Sequence, residues 1–271
     1  MRLIFLALSV LLLVTSHAKA VQPTSQIRVV FPYIPLMAES KDHGVFIDMY
    51  TEIARRSDTD VVIDILPVRR AVQDFISGKY DALGAYPSLS DIPVSLASVP
   101  FYRRENLVFY STDRFGRGRV EKLEDLDGTR VGLSAYHYPD YILDRQELSI
   151  ERVPGDTFLL RMIASNRLDA AIIERFSGNH VLKLLGLEDS ISVTDDPVTS
   201  ENVLILFKAD LAGIKNRKSF NKTIYEMLCD GTLARLFGRA SLLPDQMIIE
   251  REIPASAILK DCDPKAIFAD R

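Results

Sequence analysis

The sequence predicts an α/β protein made of two similar halves with a cleft between them, and three observations carry that prediction. Two segments 88 positions apart repeat one pattern: Phe75-Ile76-Ser77-Gly78-Lys79-Tyr80-Asp81-Ala82 and Ile163-Ala164-Ser165-Asn166-Arg167-Leu168-Asp169-Ala170. In each, an amphipathic stretch ends at Ser and is followed by Gly or Asn, residues that tolerate the left-handed conformation closing a helix. Asp-Ala then opens an apolar run, and the runs at 82–85 and 170–173 are short and uninterrupted, as buried parallel strands are. The third observation is that strand-like and helix-like stretches alternate on both sides of a break at Gly116 and Gly118.

Residues 27–31 form a β-rich run stopped by Pro32. Residues 44–57 follow at helical spacing, 61–66 as a strand, 68–77 as a helix after Pro67, and 81–85 as a strand. Such a βαβαβ unit implies parallel strands and right-handed crossovers. After the break come strands at 129–134, 149–153 and 169–174 and helices at 139–145 and 157–165. Two extended apolar segments, 105–111 and 201–208, each begin with Glu-Asn. They read as two crossing strands, one leaving the first lobe and one returning to it, with helices at 215–228 and 232–237 completing that lobe. The expected organisation is a signal peptide at 1–20, lobe 1 at 21–109, lobe 2 at 110–202, and the return part with a C-terminal tail at 203–271. A two-strand hinge permits closure on a ligand.

The first twenty residues combine Arg2, an apolar run from Leu3 to Val14 broken by Ser9, and Ala18-Lys19-Ala20. This is the pattern of a secretory signal peptide cut after Ala20, too short to span a bilayer. A periplasmic location is expected. Without Arg2 and Lys19, the 33 basic residues fall to 31 against 37 acidic ones. A mildly acidic chain with no basic stripe argues against nucleic acid and anionic membrane as partners. In an oxidising compartment the two cysteines, Cys229 and Cys262, are expected to form a disulfide. Two unpaired thiols are the alternative. The four histidines show no metal spacing, no phosphate-cradling Gly loop occurs and no Gly-x-Ser-x-Gly elbow is present. No cofactor and no metal are expected.

Five motifs in order resemble the family 3 extracellular solute-binding proteins: Gly44-Val45-Phe46-Ile47-Asp48-Met49, Gly78-Lys79-Tyr80-Asp81-Ala82, Ser98-Val99-Pro100-Phe101-Tyr102, Leu126-Asp127-Gly128-Thr129-Arg130-Val131-Gly132 and Leu168-Asp169-Ala170-Ala171. The resemblance covers residues 26–240. It implies the two-lobed type II periplasmic-binding-protein fold, with each lobe a mostly parallel sheet flanked by helices, and a partnership with an ABC importer of amino acids or related solutes. It also implies that Glu174 stands where family members place the acid receiving a ligand ammonium. The sequence departs from the family in the stretch 85–95, which contains no Arg to grip a ligand carboxylate. It departs again at Ala135-Tyr136-His137-Tyr138, where small Gly, Ser or Thr residues are usual. An ordinary α-amino acid is therefore a poorer expectation than a related polar solute.

Candidate ligand-binding residues lie near the ends of the predicted strands, the ligand side of parallel α/β sheets. Glu174 faces either a ligand cation or Arg175 as a surface ion pair. Arg69 and Arg70 open a helix, where an arginine fork can take a carboxylate or phosphate; Arg70 is preferred, and the alternative is one solvated and one packed stem. Tyr33, Tyr86, Tyr136 and Tyr138 offer aromatic walls, with half-buried loop tyrosines as the alternative. Ser88 offers a hydroxyl and His137 a titrating ring. Ordinary turn chemistry and a partly exposed loop histidine are the plain explanations. The leading expectation is a monomeric, non-enzymatic periplasmic receptor that passes a small solute to a membrane ABC permease. The competitors are a cyclohexadienyl-dehydratase-like enzyme of the same fold, using a cleft acid, and a sensory protein that docks onto a membrane receptor.

Overall fold

The computed structural model describes residues 26–269 apart from 58, 88–91, 93–94 and 135–137. The signal-peptide expectation at 1–20 lies outside the described residues. In chain order the elements are β1 (Gln26–Pro32), α1 (Val45–Ser57), β2 (Asp60–Leu66), α2 (Val68–Ile76), β3 (Ala82–Pro87), β4 (Ser95–Ala97), β5 (Tyr102–Ser111) and α3 (Thr112–Phe115). Then follow β6 (Arg130–Leu133), α4 (Asp140–Leu143), β7 (Ser149–Arg152), α5 (Asp156–Ala164), β8 (Ala170–Glu174), α6 (Arg175–Leu185) and β9 (Ile191–Val193). The remainder is β10 (Thr199–Lys208), α7 (Leu211–Cys229), α8 (Thr232–Phe237) and α9 (Gln246–Glu250).

The repeated corner is built from the same bonds twice. Gly78 and Asn166 both take positive φ, 82° and 56°. The Asp that follows each corner accepts the backbone N–H of the Arg two residues from, or at, the start of the neighbouring parallel strand: Arg28 N to Asp81 Oδ2 and Arg130 N to Asp169 Oδ2, each 2.9 Å. The backbone N–H of Asp81 returns to the carbonyl of Arg28, and that of Asp169 to the carbonyl of Arg130. Each Asp therefore fixes the register of a strand that must pair parallel to its neighbour. Parallel pairing holds for β1 with β2 and β3, and for β6 with β7 and β8.

Two strands join the halves. The first half of β5 pairs antiparallel with the first half of β10, from Tyr102↔Val203 to Asn106↔Thr199. Beyond Asn106, β5 continues along β8, and beyond Val203, β10 continues along β3. Because β5 and β10 pair with each other, the hydrogen-bonded path does not stop between the halves. Among the described residues it runs β2-β1-β3-β10-β5-β8-β6-β7 as one curled sheet, with β4 and β9 attached to β10 and β5.

The cores nevertheless separate. In the first half, Phe31, Tyr50, Phe46, Phe101, Tyr102, Phe207, Phe220 and Phe237 share one buried cluster of edge-to-face rings; Val30, Ala71, Phe75 and Leu83 fill the opposite sheet face. In the second half, β5 alternates with period two. Leu107 and Phe109 pack with Leu159, Leu160 and Ile173, whereas Val108 and Tyr110 pack with Val131, Leu133 and Tyr138. Cys229 and Cys262 are disulfide-bonded and tie the tail to the end of α7. No helix among the described residues is long and apolar enough to cross a membrane.

Candidate functional site

The ends of β6 and β8, the start of α5 and the junction of β5 and β10 bring together a cluster of bonded polar side chains. Glu174 closes β8 and its carboxylate caps α6, accepting the backbone N–H of Phe176 at 3.0 Å and of Ser177 at 2.8 Å. Capping satisfies donors that a helix start leaves free. The same carboxylate accepts the hydroxyl of Tyr102 at 2.8 Å. Burial first, and then the Glu174 charge, push the Tyr102 hydroxyl well above the usual phenol range, so it stays a donor.

Beside it, Asp156 begins α5 after Gly155, whose φ of 109° suits glycine. Asp156 accepts the Ser177 hydroxyl at 2.7 Å. Burial pushes its carboxyl above the usual range; the Ser177 bond works against that shift, the Glu174 charge adds to it and the Arg104 charge opposes it. Tyr138, buried just beyond the end of β6, donates to the carbonyl of Ile172 at 2.9 Å and meets the Ser134 hydroxyl at 2.9 Å. The guanidinium groups of Arg104 and Arg152 lie 5.7 and 5.3 Å from its ring centroid, cation–π distances. Arg152 also donates to the Ser134 carbonyl at 2.8 Å.

The crossing strands carry two buried ion pairs. Arg104 of β5 bonds Glu201 of β10 at 2.8 Å, and Glu105 of β5 bonds Arg175 of α6 at 2.6 Å. Glu105 also accepts the Ser241 hydroxyl from the C-terminal segment, and Arg175 donates to the carbonyl of Asp195. Asn106 donates to the Thr199 hydroxyl between the two strands.

Of the residues singled out from sequence, Glu174 is thus the centre of a hydrogen-bonded group, and Arg175 pairs with Glu105 rather than with Glu174. Tyr33 stands just after β1 and is 47% exposed. Arg70 is exposed on the first turn of α2, with Nε 2.9 Å from Asp74 of its own helix, whose carboxylate also takes Lys79. Lys79 first, then burial working against it and Arg70, hold the Asp74 carboxyl below its usual range. Tyr86 pairs with Leu204 through its backbone in β3. Ser88, Tyr136 and His137 lie outside the described residues. Sequence reasoning missed Tyr102, Arg104, Asp156 and Glu201. The Glu-Asn pairs at 105–106 and 201–202 marked the crossing strands, but pairing between charges about a hundred residues apart leaves no local pattern. Among the described residues no three His, Cys, Asp or Glu side chains converge to hold a metal.

What the geometry provides is a set of donors, acceptors and aromatic faces held to one another by hydrogen bonds and ion pairs where the two halves meet. No protein-family model matches the sequence, and no curated protein matches it. Solved structures do. The GluR0 ligand-binding core in complex with L-glutamate is 12% identical, with a TM-score of 0.69 over 80% of this chain and 99% of that one. A structure from work on glutathione import via GshT and the cystine ABC importer TcyBC of Streptococcus mutans is 20% identical, TM-score 0.67, over 83% and 99%. A histidine kinase sensor domain with similarity to periplasmic binding proteins is 16% identical, TM-score 0.65, over 82% and 99%. At these identities the likeness is one of architecture, and it agrees with the crossing strands and paired cores: the chain has the two-lobed fold of the periplasmic binding proteins.

Proposed function

We propose that the protein is a periplasmic receptor of the family 3 solute-binding type that traps a small polar solute between its lobes for an ABC permease. The observation that carries this reading is the pair of crossing strands, which connects two separately packed halves and places charged side chains at their junction. The N-terminal pattern of residues 1–20 supports export. Neighbouring structures named for L-glutamate, arginine and glutathione import support an amino-acid-like or peptide-like solute. We take the lobes as 21–109 with 203–271, and 110–202, and the ligand contacts as Tyr33, Arg70, Tyr86, Ser88, Tyr136, His137 and Glu174. A sensory role is the second reading, favoured by the likeness to a histidine kinase sensor domain.

The test is a thermal-shift screen of the mature protein against amino acids, short peptides, polyamines, organic acids and sugars, followed by calorimetry. A ligand at 100 times its dissociation constant adds about 2.7 kcal/mol to stability, so one solute class should raise the melting temperature clearly. No shift with any class would sink the reading. A neighbouring permease gene would favour import, and a neighbouring sensor-kinase gene would favour signalling.

A further inference from the structure

Three consecutive residues at the junction of β8 and α6 reach out of the second half and fasten onto the first half and the strands between them. Glu174 Oε1 accepts both the Phe176 N–H of its own helix and the hydroxyl of Tyr102. The Tyr102 ring belongs to the aromatic cluster of the first half, 4.9 Å from Phe237 and 5.3 Å from Phe46. Arg175 bonds Glu105 on the crossing strand, and Glu105 in turn holds Ser241 of the C-terminal segment. Phe176, partly buried, packs against that same first-half cluster rather than against the core of its own half. The N-terminus of α6 is thus capped by a carboxylate that the first half also grips, and its second residue is plugged into the first half's core.

We infer that Tyr102, Glu174 and Phe176 form a latch that holds the two halves together without any solute. Rotating the halves apart about the crossing strands separates Tyr102 from Glu174 and withdraws Phe176 from the first-half cluster. A hydroxyl-to-carboxylate bond and a partly buried ring both resist that motion. Two backbone N–H groups and one hydroxyl already fill most of the acceptor capacity of Glu174. A solute amine arriving at Glu174 finds one acceptor site left on a carboxylate that Tyr102 already holds, so that the latch and the solute share one group. The inference rests on two halves that move, as in the function proposed above, but on no solute.

Small-angle scattering of the solute-free mature protein tests it, with circular dichroism to confirm folding. Tyr102→Phe removes one oxygen and keeps the ring in its cluster. Phe176→Ala removes the plug and leaves both hydrogen bonds. Tyr80→Phe, which deletes a hydroxyl bonded to Asp64 within the first half, is the control. The expected result is a larger radius of gyration for Tyr102→Phe and for Phe176→Ala than for the parent, with Tyr80→Phe unchanged. Equal radii for the parent and both latch variants would overturn the latch. That outcome would leave the solute-trapping reading untouched, since a solute-induced contraction would still be visible. Conversely, a latch that opens on mutation in a protein that no solute contracts would retain this inference and defeat the other.

Discussion

Asp156 is buried at the start of α5, where it accepts the Ser177 hydroxyl, and burial outweighs that bond in setting its acidity. The folded protein therefore holds the Asp156 proton more tightly than the unfolded chain does. Stability contributed here is greatest at low pH and falls as pH rises from the ordinary carboxylate value, near 3.9, through the raised folded value. Asp156→Asn keeps the shape and an acceptor for Ser177 while removing the charge. It should raise the melting temperature at neutral pH, with the gain shrinking to nothing as pH falls below the ordinary carboxylate range. A melting series across pH checks this. The Arg175–Glu105 pair behaves differently, since both side chains are buried and matched. Arg175→Met strands Glu105 and should cost about 3–5 kcal/mol by urea unfolding, whereas Glu105→Leu with Arg175→Met should restore most of the loss. Local pattern placed Glu174 at the end of a strand, where it is found. It could not show that Glu174 caps a helix and meets Tyr102, because the Tyr102 contact arises from residues 72 positions apart.

At the scale of elements, the repeated corner was readable because its parts are local: the closing Gly or Asn, the Asp, and the apolar run. The Asp bonds give the repeat the same structural role in both halves. Asp169→Ala removes acceptors for both the backbone and the guanidinium of Arg130, and should cost about 1–3 kcal/mol in chemical denaturation. Gly84 of β3 is needed for a different reason: a Cβ there would lie 2.4 Å from the buried Phe31 ring. Gly84→Ala should cost about 1–3 kcal/mol through overpacking, measured the same way. Helix α6 was not expected from sequence. Its first turns contain Ser177, Gly178 and Asn179, all weak helix formers, and Gly178 is required because a Cβ would strike the Phe109 ring at 2.5 Å. Packing overrides propensity there. Strands β4 and β9 escaped notice because three residues are too few to show alternation.

For the whole molecule, order and connectivity were legible well before any contact was. The alternation of strands and helices, the two Glu-Asn segments and the cysteine pair gave the architecture. The continuity of the sheet through β10 and β5 did not follow, since it depends on which halves of two long strands pair with each other. The disulfide closes an interval of 33 residues, and its reduction should lower stability by about 3–4 kcal/mol on the loop-entropy model. Paired urea curves with and without dithiothreitol measure that difference.

The Cys229–Cys262 link also governs what cleavage can do. A protease that nicks the exposed backbone between Arg251 and Asp261 cuts inside the covalent ring, so both pieces stay attached and migrate as one band on a non-reducing gel. Only after reductant is added does the C-terminal fragment come away, so a non-reducing gel by itself does not reveal the nick.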